Sequence, residues 1–334
     1  MDKRYAQRIV TLGGGTGHFH LLDGLKRIND PALITAIVGT WDNGGSSGRL
    51  RTELGVLPPG DIRRCLLALM EDEKQQGVAQ RLFDDRLGEV NGLLKGHSMG
   101  NLISARLDHI FHGQDRGTDA ERELFRVKGQ ILPASLTDLH LVGVTEKGVV
   151  IEGETNIDNR RKRADFDPKD GLVRIHFNTR ADPNPRAIKA IKQADKIVFA
   201  PGDLFTSILP HLLVDGVREA ICASKAKVCF VLNLMTKTGE TDFYKASDYL
   251  KKLVFYLGNS KRLDYVVVNE GKLEREIVDF YRSVGQELVK VDGEECKKVV
   301  PGVKIVKSKL AGYLKKEHLL RHDPGELALA ILRL

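Results

Sequence analysis

Cysteine, aromatic residues and long apolar runs are all scarce in this chain of 334 residues. The four cysteines, Cys65, Cys222, Cys229 and Cys296, form no CxxC pair, which excludes a zinc finger or a thioredoxin-like centre. A disulfide framework does not suit a cytosolic chain of this size, so buried neutral thiols are expected. The longest apolar stretches, residues 228–232 and 265–268, fall far short of the roughly 20 residues that cross a membrane. The opening residues Met1, Asp2, Lys3, Arg4 and Tyr5 lack the apolar core of a signal peptide, which points to the cytoplasm. Ten histidines include no HExxH spacing, and His18 and His20, two apart, would point to different faces of a helix and make a poor joint metal site.

What is present is an ordinary globular mixture: 42% hydrophobic and 29% charged residues, enough for a large core. The charge of +7, from 52 Lys+Arg against 45 Asp+Glu, suits anionic small molecules as readily as nucleic acid. The densest basic run, residues 159–163, has no interleaved aromatics for base stacking; it reads as a solvated hairpin tip and argues against nucleic acid.

Residues 8–12 are an apolar, β-branched run that leads directly into Gly13-Gly14-Gly15-Thr16-Gly17. A helical pattern follows (Phe19, Leu21, Leu22, Leu25, Ile28), then a second apolar run at residues 33–38. This is the start of a βαβ unit. Residues 40–60 read as a long Gly-, Ser- and Pro-rich loop, with a helix from Asp61 and helical patterns to about Gly129, broken near Gly77 and Gly96. Strand patterns at 139–144, 149–157 and 172–177 predict a small β-rich insertion at about residues 139–178. Strands at 196–200, 227–232 and 262–268 then alternate with helices, one opened by Asn184-Pro185 and the last by Asp323-Pro324-Gly325-Glu326. Asp195 and Asp264 read as structural. The expected fold is α/β: a Rossmann-like, doubly wound, mainly parallel sheet with helices on both faces, as one domain over 1–334 with the β-rich insertion inside it.

Glycines between a strand and a helix allow positive φ and close backbone approach, and the helix start offers free N–H groups to a phosphate. Gly13–Gly17 is no Walker A loop, since no Gly-Lys-Ser/Thr follows. It is an incomplete dinucleotide fingerprint, since His18 stands where the third glycine belongs; an NAD-dependent dehydrogenase rests on this loop alone. The second loop, Asp42-Asn43-Gly44-Gly45-Ser46-Ser47-Gly48-Arg49, should lie beside the first. Asp42 can accept from a ribose hydroxyl or hold a divalent cation, the Gly-Ser stretch can form an anion nest, and Arg49 or Arg51 can add charge. Asp61 opens the next helix, with Arg63 and Arg64 in its first turn, where positive charge is unfavourable without an anionic partner. Gly96-His97-Ser98-Met99-Gly100 matches a nucleophile elbow, but the weak strand before it argues against a hydrolase; Ser98 and Asn101 read instead as opening a helix that faces the site. Pro201, Gly202 and Asp203, then Thr206 and Ser207, suit a diphosphate or a base at another strand end, or ordinary capping. Asn233 and Thr236 could read a nucleobase edge, because an amide both donates and accepts.

Six segments together carry a resemblance: residues 13–17, 42–51, 57–63, 97–102, 201–210 and 233–241. The chain resembles the gluconeogenesis-factor family of bacterial cytoplasmic proteins, which shares the fold of 2-phospho-L-lactate transferase. The resemblance implies a Rossmann-like fold and a site for a UDP-sugar, UDP-N-acetylglucosamine or UDP-glucose, with a role in carbon metabolism, cell-wall precursor supply and cell shape. The transferase branch implies a different activity, movement of a phospholactyl group from a guanosine-diphosphate-linked donor to a deazaflavin. Magnesium is then the candidate cofactor, Asp42 its candidate ligand, and Asp42 and Asp61 the candidate catalytic residues. Asn43 stands where the family carries a second Asp, which thins the oxygen set for magnesium, and His18-Phe19 also departs from the family pattern. A fold of this size often self-associates through a helix face, so a homo-oligomer is also considered; no membrane partner is expected.

Overall fold

Every residue of β1 (Ile9–Gly13) is buried, as a parallel strand covered on both faces requires. The computed structural model describes residues 5–314 and 319–334; residues 1–4, part of the opening read above against a leader, lie outside it. From β1 the chain steps outward to β2 (Ile34–Val38) and β3 (Gln130–Pro133). It then forms a separate antiparallel sheet in the order β5–β4–β6, from β4 (Leu141–Thr145), β5 (Val150–Glu152) and β6 (Leu172–Phe177). It returns to the other side of β1 with β7 (Lys196–Phe199), β8 (Lys227–Val231), β9 (Tyr265–Asn269) and β10 (Lys304–Ser308). The central sheet has seven strands in the order β10–β9–β8–β7–β1–β2–β3, all pairings parallel. A hairpin of β11 (Ala311–Leu314) and β12 (Leu319–His322) follows. The strand order reverses between β1 and β7, and the crevice at the strand ends there is where open α/β sheets hold ligands. No helix among the described residues is long and apolar enough to cross a membrane.

Successive side chains of β1 enter opposite cores. Ile9 belongs to the core that holds Leu21, Leu25 and Ile331 on one face; Val10 and Leu12 belong to the core that holds Phe199, Leu250 and Leu253 on the other. The helix Gly15–Ile28 lies against the final helix Pro324–Leu332, which Asp323 caps by accepting from the Glu326 N–H. They approach tightly at Gly24, where a Cβ would stand 1.9 Å from the Pro324 carbonyl oxygen. Gly24→Ala should therefore destabilise the protein by about 3 kcal/mol, as overpacking against backbone does, measured by urea unfolding. The other end of the final helix is held by Lys196, whose buried ammonium donates to the carbonyls of Ile331 (2.7 Å) and Leu332 (2.8 Å). Asn184 caps Pro185–Gln193 as expected, and Asp195 and Asp264 accept from the Arg8 and Val228 amides, both structural. Cys65, Cys229 and Cys296 are buried free thiols; Cys222 is half-buried.

Several local expectations are corrected. The stretch 40–60 contains a helix, Gly45–Leu54, because its Ser hydroxyls find protein partners and Leu50 and Arg51 are buried beneath it. Gly77 does not break a helix; it lies on the exposed face of Glu73–Asp84, which Asp72 caps through the Lys74 and Gln75 amides. The basic run is a short helical turn and not a hairpin tip, and it is solvated only in part: Arg161, Lys162 and Arg163 are exposed. Arg160 is buried, ion-pairs with Asp170 and donates to the carbonyl oxygens of Asp170 and Gly239, while Arg161 reaches the Val284 carbonyl. A charge run thus fastens the segment after β5 to the loop beyond β8. Strands β3, β10, β11 and β12 had no expectation, being short and mostly at sheet edges.

Candidate functional site

The site is built on the turn out of β1. Gly14 is extended, and Gly15 takes φ +65°, a left-handed conformation that glycine adopts without strain. No side chain caps the helix that starts here, so its first amides are open to a ligand. Gly17 faces Pro201, where a Cβ would lie 2.1 Å from the carbonyl oxygen. His18 does not face the crevice. It is fully buried, its Nε2 lies 2.7 Å from Thr11 Oγ1 and its Nδ1 3.6 Å from Cys65 Sγ, and burial pulls its pKa down to about 4, so the ring is neutral.

Two cavities flank this turn and share Gly14, Gly15, Asp203 and Ser207. The larger, about 420 Å³, also contains Thr16, Gly17, Pro201, Gly202, Asn233 and Thr236, together with Lys237, Tyr281, Gln286, Arg321 and His322. The second, about 360 Å³, contains Gly13, Asp42, Gly44, Gly45, Asp61 and Thr206, together with Trp41, Arg64, Glu154 and Asp158. Sixteen of the expected site residues thus meet in one crevice, from loops after β1, β2, β7 and β8 and the start of the helix Gly60–Leu69.

Three of them spend their polar groups on the protein. The Asn233 side chain accepts from the Gly202 N–H (3.1 Å) and donates to the Gly202 carbonyl (2.8 Å), so it fixes that loop instead of being free to read a base. Thr236 Oγ1 accepts from the Glu287 amide, and the Thr206 hydroxyl donates to Glu240.

Seven expected residues lie outside the two cavities, and each has a local partner. Ser46 Oγ is 3.0 Å from His97 Nδ1, and Asn101 Nδ2 donates to Ser47 Oγ at 3.3 Å. Ser98 caps the helix Met99–Ile110 and is preceded by a turn rather than a buried strand, which removes the nucleophile elbow. Arg49 donates to the Lys95 carbonyl. Arg63 is buried and turns away to Asp84 and the Phe83 carbonyl; its neighbour Arg64 faces the cavity instead. Asn43 accepts from the Thr155 amide at 2.9 Å, tying the second loop to the insertion.

Carboxylates dominate the second cavity. Burial first, then the nearby Asp61, raises Asp42 to about 6. Burial and then Asp42 raise Glu154 to about 9. Lys237 Nζ bridges Asp158 (2.7 Å) and Asp203 (3.1 Å). Oxygens of Asp158, Asp203 and Glu240 lie within 4.8 Å of one another, but Lys237 balances two of these groups and Glu240 accepts from Thr206 Oγ1 and the Phe205 amide. Asp42 and Asp61 have weaker compensation, Arg64 standing 3.7 Å from Asp61. Both are hard oxygen donors of the kind magnesium takes. The acidic neighbours of Asp42 are Asp61 and Glu154, which come from two other elements.

Glu154, Asp158, Lys237, Glu240, Tyr281 and Arg321 were not anticipated. Lys237 and Glu240 sit inside the quoted segment 233–241; Glu154 and Asp158 carry only an i,i+4 acidic spacing on the short helix Glu154–Asp158.

A parallel α/β sheet with a glycine turn over a crevice at its switch point defines a Rossmann-like class of fold. The family model described as 2-phospho-L-lactate transferase CofD matches residues 9–311, and the chain belongs to this family. Relatives that it matches over nearly their whole length are named gluconeogenesis factors. It is 38% identical over 330 residues to that of Halalkalibacterium halodurans, covering 98% of this chain and 96% of the relative, and 37% identical over 324 residues to that of Bacillus subtilis, covering 96% of each. The crystal structure of a UPF0052-family protein from Bacillus halodurans superimposes with a TM-score of 0.87 at 36% identity, over 98% of this chain and 99% of that one. The expected resemblance and the α/β fold class are both borne out.

Proposed function

We propose that this protein binds a UDP-sugar, UDP-N-acetylglucosamine or UDP-glucose, in the crevice around Gly14–Gly17, and acts without turnover as a cytoplasmic gluconeogenesis factor linking carbon metabolism to cell-wall precursor supply and cell shape. One observation carries this reading: an uncapped helix start between two cavities that share its glycines. A diphosphate on the open amides would send one arm into each cavity.

A second reading, a metal-dependent transferase acting on a nucleoside-diphosphate-linked donor, is favoured by one contact. A Cβ on Gly14 would stand 2.3 Å from Asp61 Oδ2, so a carboxylate lies directly against the phosphate-type loop. Two anions there need a cation between them. Asp42 and Asp61 would hold magnesium, which supplies neutralisation of a diphosphate leaving group when bound.

Thermal unfolding with UDP-N-acetylglucosamine, UDP-glucose, GDP and NAD, each with magnesium or EDTA, separates the readings. A ligand at about 100 times its Kd adds roughly 2.7 kcal/mol, a midpoint shift of a few degrees. UDP-sugars should shift the midpoint with or without magnesium. A shift by GDP alone, dependent on magnesium, would favour the transferase, and a shift by NAD alone would overturn both.

A further inference from the structure

The two cavities differ in charge. The larger combines Lys237 and Arg321 with the apolar Leu234, Met235 and Leu320. The second is bounded by Asp42, Asp61, Glu154, Asp158 and Asp203, with Arg64 as the one Lys or Arg among its lining residues. Lys237 offsets Asp158 and Asp203 from the side, but Asp42 and Asp61 face the cavity with only Arg64 nearby. Carboxylates at such a wall accept from hydroxyl groups and repel another carboxylate. The acidic residues alone would not make a site; the continuity of this cavity with the open glycine turn gives it an occupant, whatever group the diphosphate carries.

Resting on the UDP-sugar reading, we infer that the cavity walled by Asp42, Asp61 and Glu154 is the sugar subsite, and that it selects neutral, hydroxyl-rich sugars over sugars bearing a carboxylate. Asp42 and Asp61 are specificity-determining residues in this arrangement. Glu154, which lines the same cavity, completes this wall beside Asp42. Discrimination by an added repulsion is an efficient way to separate ligands of nearly equal shape.

UDP-glucose and UDP-glucuronate test this directly, because they differ only at C6, a hydroxymethyl in one and a carboxylate in the other. Both, and UDP itself, would be titrated calorimetrically into the full chain at pH 7.5 with one fixed magnesium concentration. UDP-glucuronate should bind at least about tenfold more weakly than UDP-glucose, the order expected for one like-charge contact in a half-buried site. Asp61→Asn, and Asp42→Asn with Asp61→Asn, should narrow the gap to about threefold or less by strengthening UDP-glucuronate. Equal binding of the two sugars by the wild type, beside tight binding of UDP, overturns the subsite and leaves the nucleotide reading standing. A gap that the folded Asp61→Asn variant leaves unchanged also overturns it. Failure of all three ligands to bind overturns the nucleotide reading and the subsite with it. Unfolding midpoints without ligand check that each variant is folded; should the double variant not fold, the single variant and the wild-type comparison decide.

Discussion

Gly17→Ala is expected to cost the protein both stability and its ligand. The added methyl would lie 2.1 Å from the Pro201 oxygen and 2.8 Å from its carbonyl carbon, contacts no side-chain rotation can relieve. The opposing loop cannot easily retreat: Asn233 holds Gly202 by two hydrogen bonds, and Lys237 holds Asp203. The two loops must therefore part, which separates the open amides of the Gly15–Ile28 helix from the rest of the crevice. We expect a loss of about 3 kcal/mol in urea unfolding, at the upper end of overpacking effects. Binding of a UDP-sugar should weaken at least tenfold, because about an ångström of misplacement removes short hydrogen bonds. Gly77→Ala is the matched control. It lies in a helix with no atom within 4 Å of its would-be Cβ, and should be neutral or stabilising by up to about 1 kcal/mol. Equal behaviour of the two variants would contradict the close approach of the loops.

The second large effect concerns a buried pair of acids away from the crevice. Asp108 on the helix Met99–Ile110 and Glu121 on the helix Gln114–Leu124 are both buried. Burial raises Asp108 to about 7, and burial together with Asp108 raises Glu121 to about 8. The Ser104 hydroxyl donates to the Glu121 oxygens (2.9 and 3.0 Å), which favours the carboxylate, but burial outweighs it. Between about pH 4 and 8 the folded protein therefore keeps protons that the unfolded chain has released. Stability attributable to this pair is present at low pH and is lost as pH rises through about 7 to 8. At 1.36 kcal/mol per unit, shifts of about three units correspond to several kcal/mol. Asp108→Asn with Glu121→Gln should remove this slope: relative to the wild type, the double variant should gain roughly 2 kcal/mol or more between pH 5 and 8.5. Urea unfolding of both proteins across that range measures the difference directly, which cancels contributions from other groups such as the buried histidines. A difference that is flat with pH would mean that the pair is ionised in the fold.

The glycine turn was legible in the sequence because glycine itself is the signal: close approach to Pro201 and a left-handed Gly15 exclude most other residues. Asp42 and Asp61 were legible for a related reason, each standing at a strand end or helix start of a recognisable βαβ pattern. Ser46, Ser47, Ser98 and Asn101 had the same appearance and a different fate. A hydroxyl or amide at a helix start looks alike whether it meets a ligand or another helix start, and the packing of Met99–Ile110 onto Gly45–Leu54 turned these groups toward one another. Glu154 and Asp158 were hidden because the insertion's placement over the crevice is set by contacts distant in sequence. Lys237 to Asp158 and Arg160 to the Gly239 carbonyl each span 79 residues, and no local pattern foretells either.

The central claim, that a nucleoside-diphosphate sugar sits on the open end of the Gly15–Ile28 helix, is tested most directly at the glycine amides themselves. With ¹⁵N-glycine labelling, and the signals assigned by selective ¹³C-carbonyl labelling of the preceding residue type together with triple-resonance spectra, UDP-N-acetylglucosamine would be titrated in while amide shifts are followed. Shifts concentrated at Gly14, Gly15, Gly17 and Gly202, with Gly77 and Gly302 unmoved, are the expected result. Saturating ligand that leaves the amides of Gly14, Gly15 and Gly17 unmoved would contradict it.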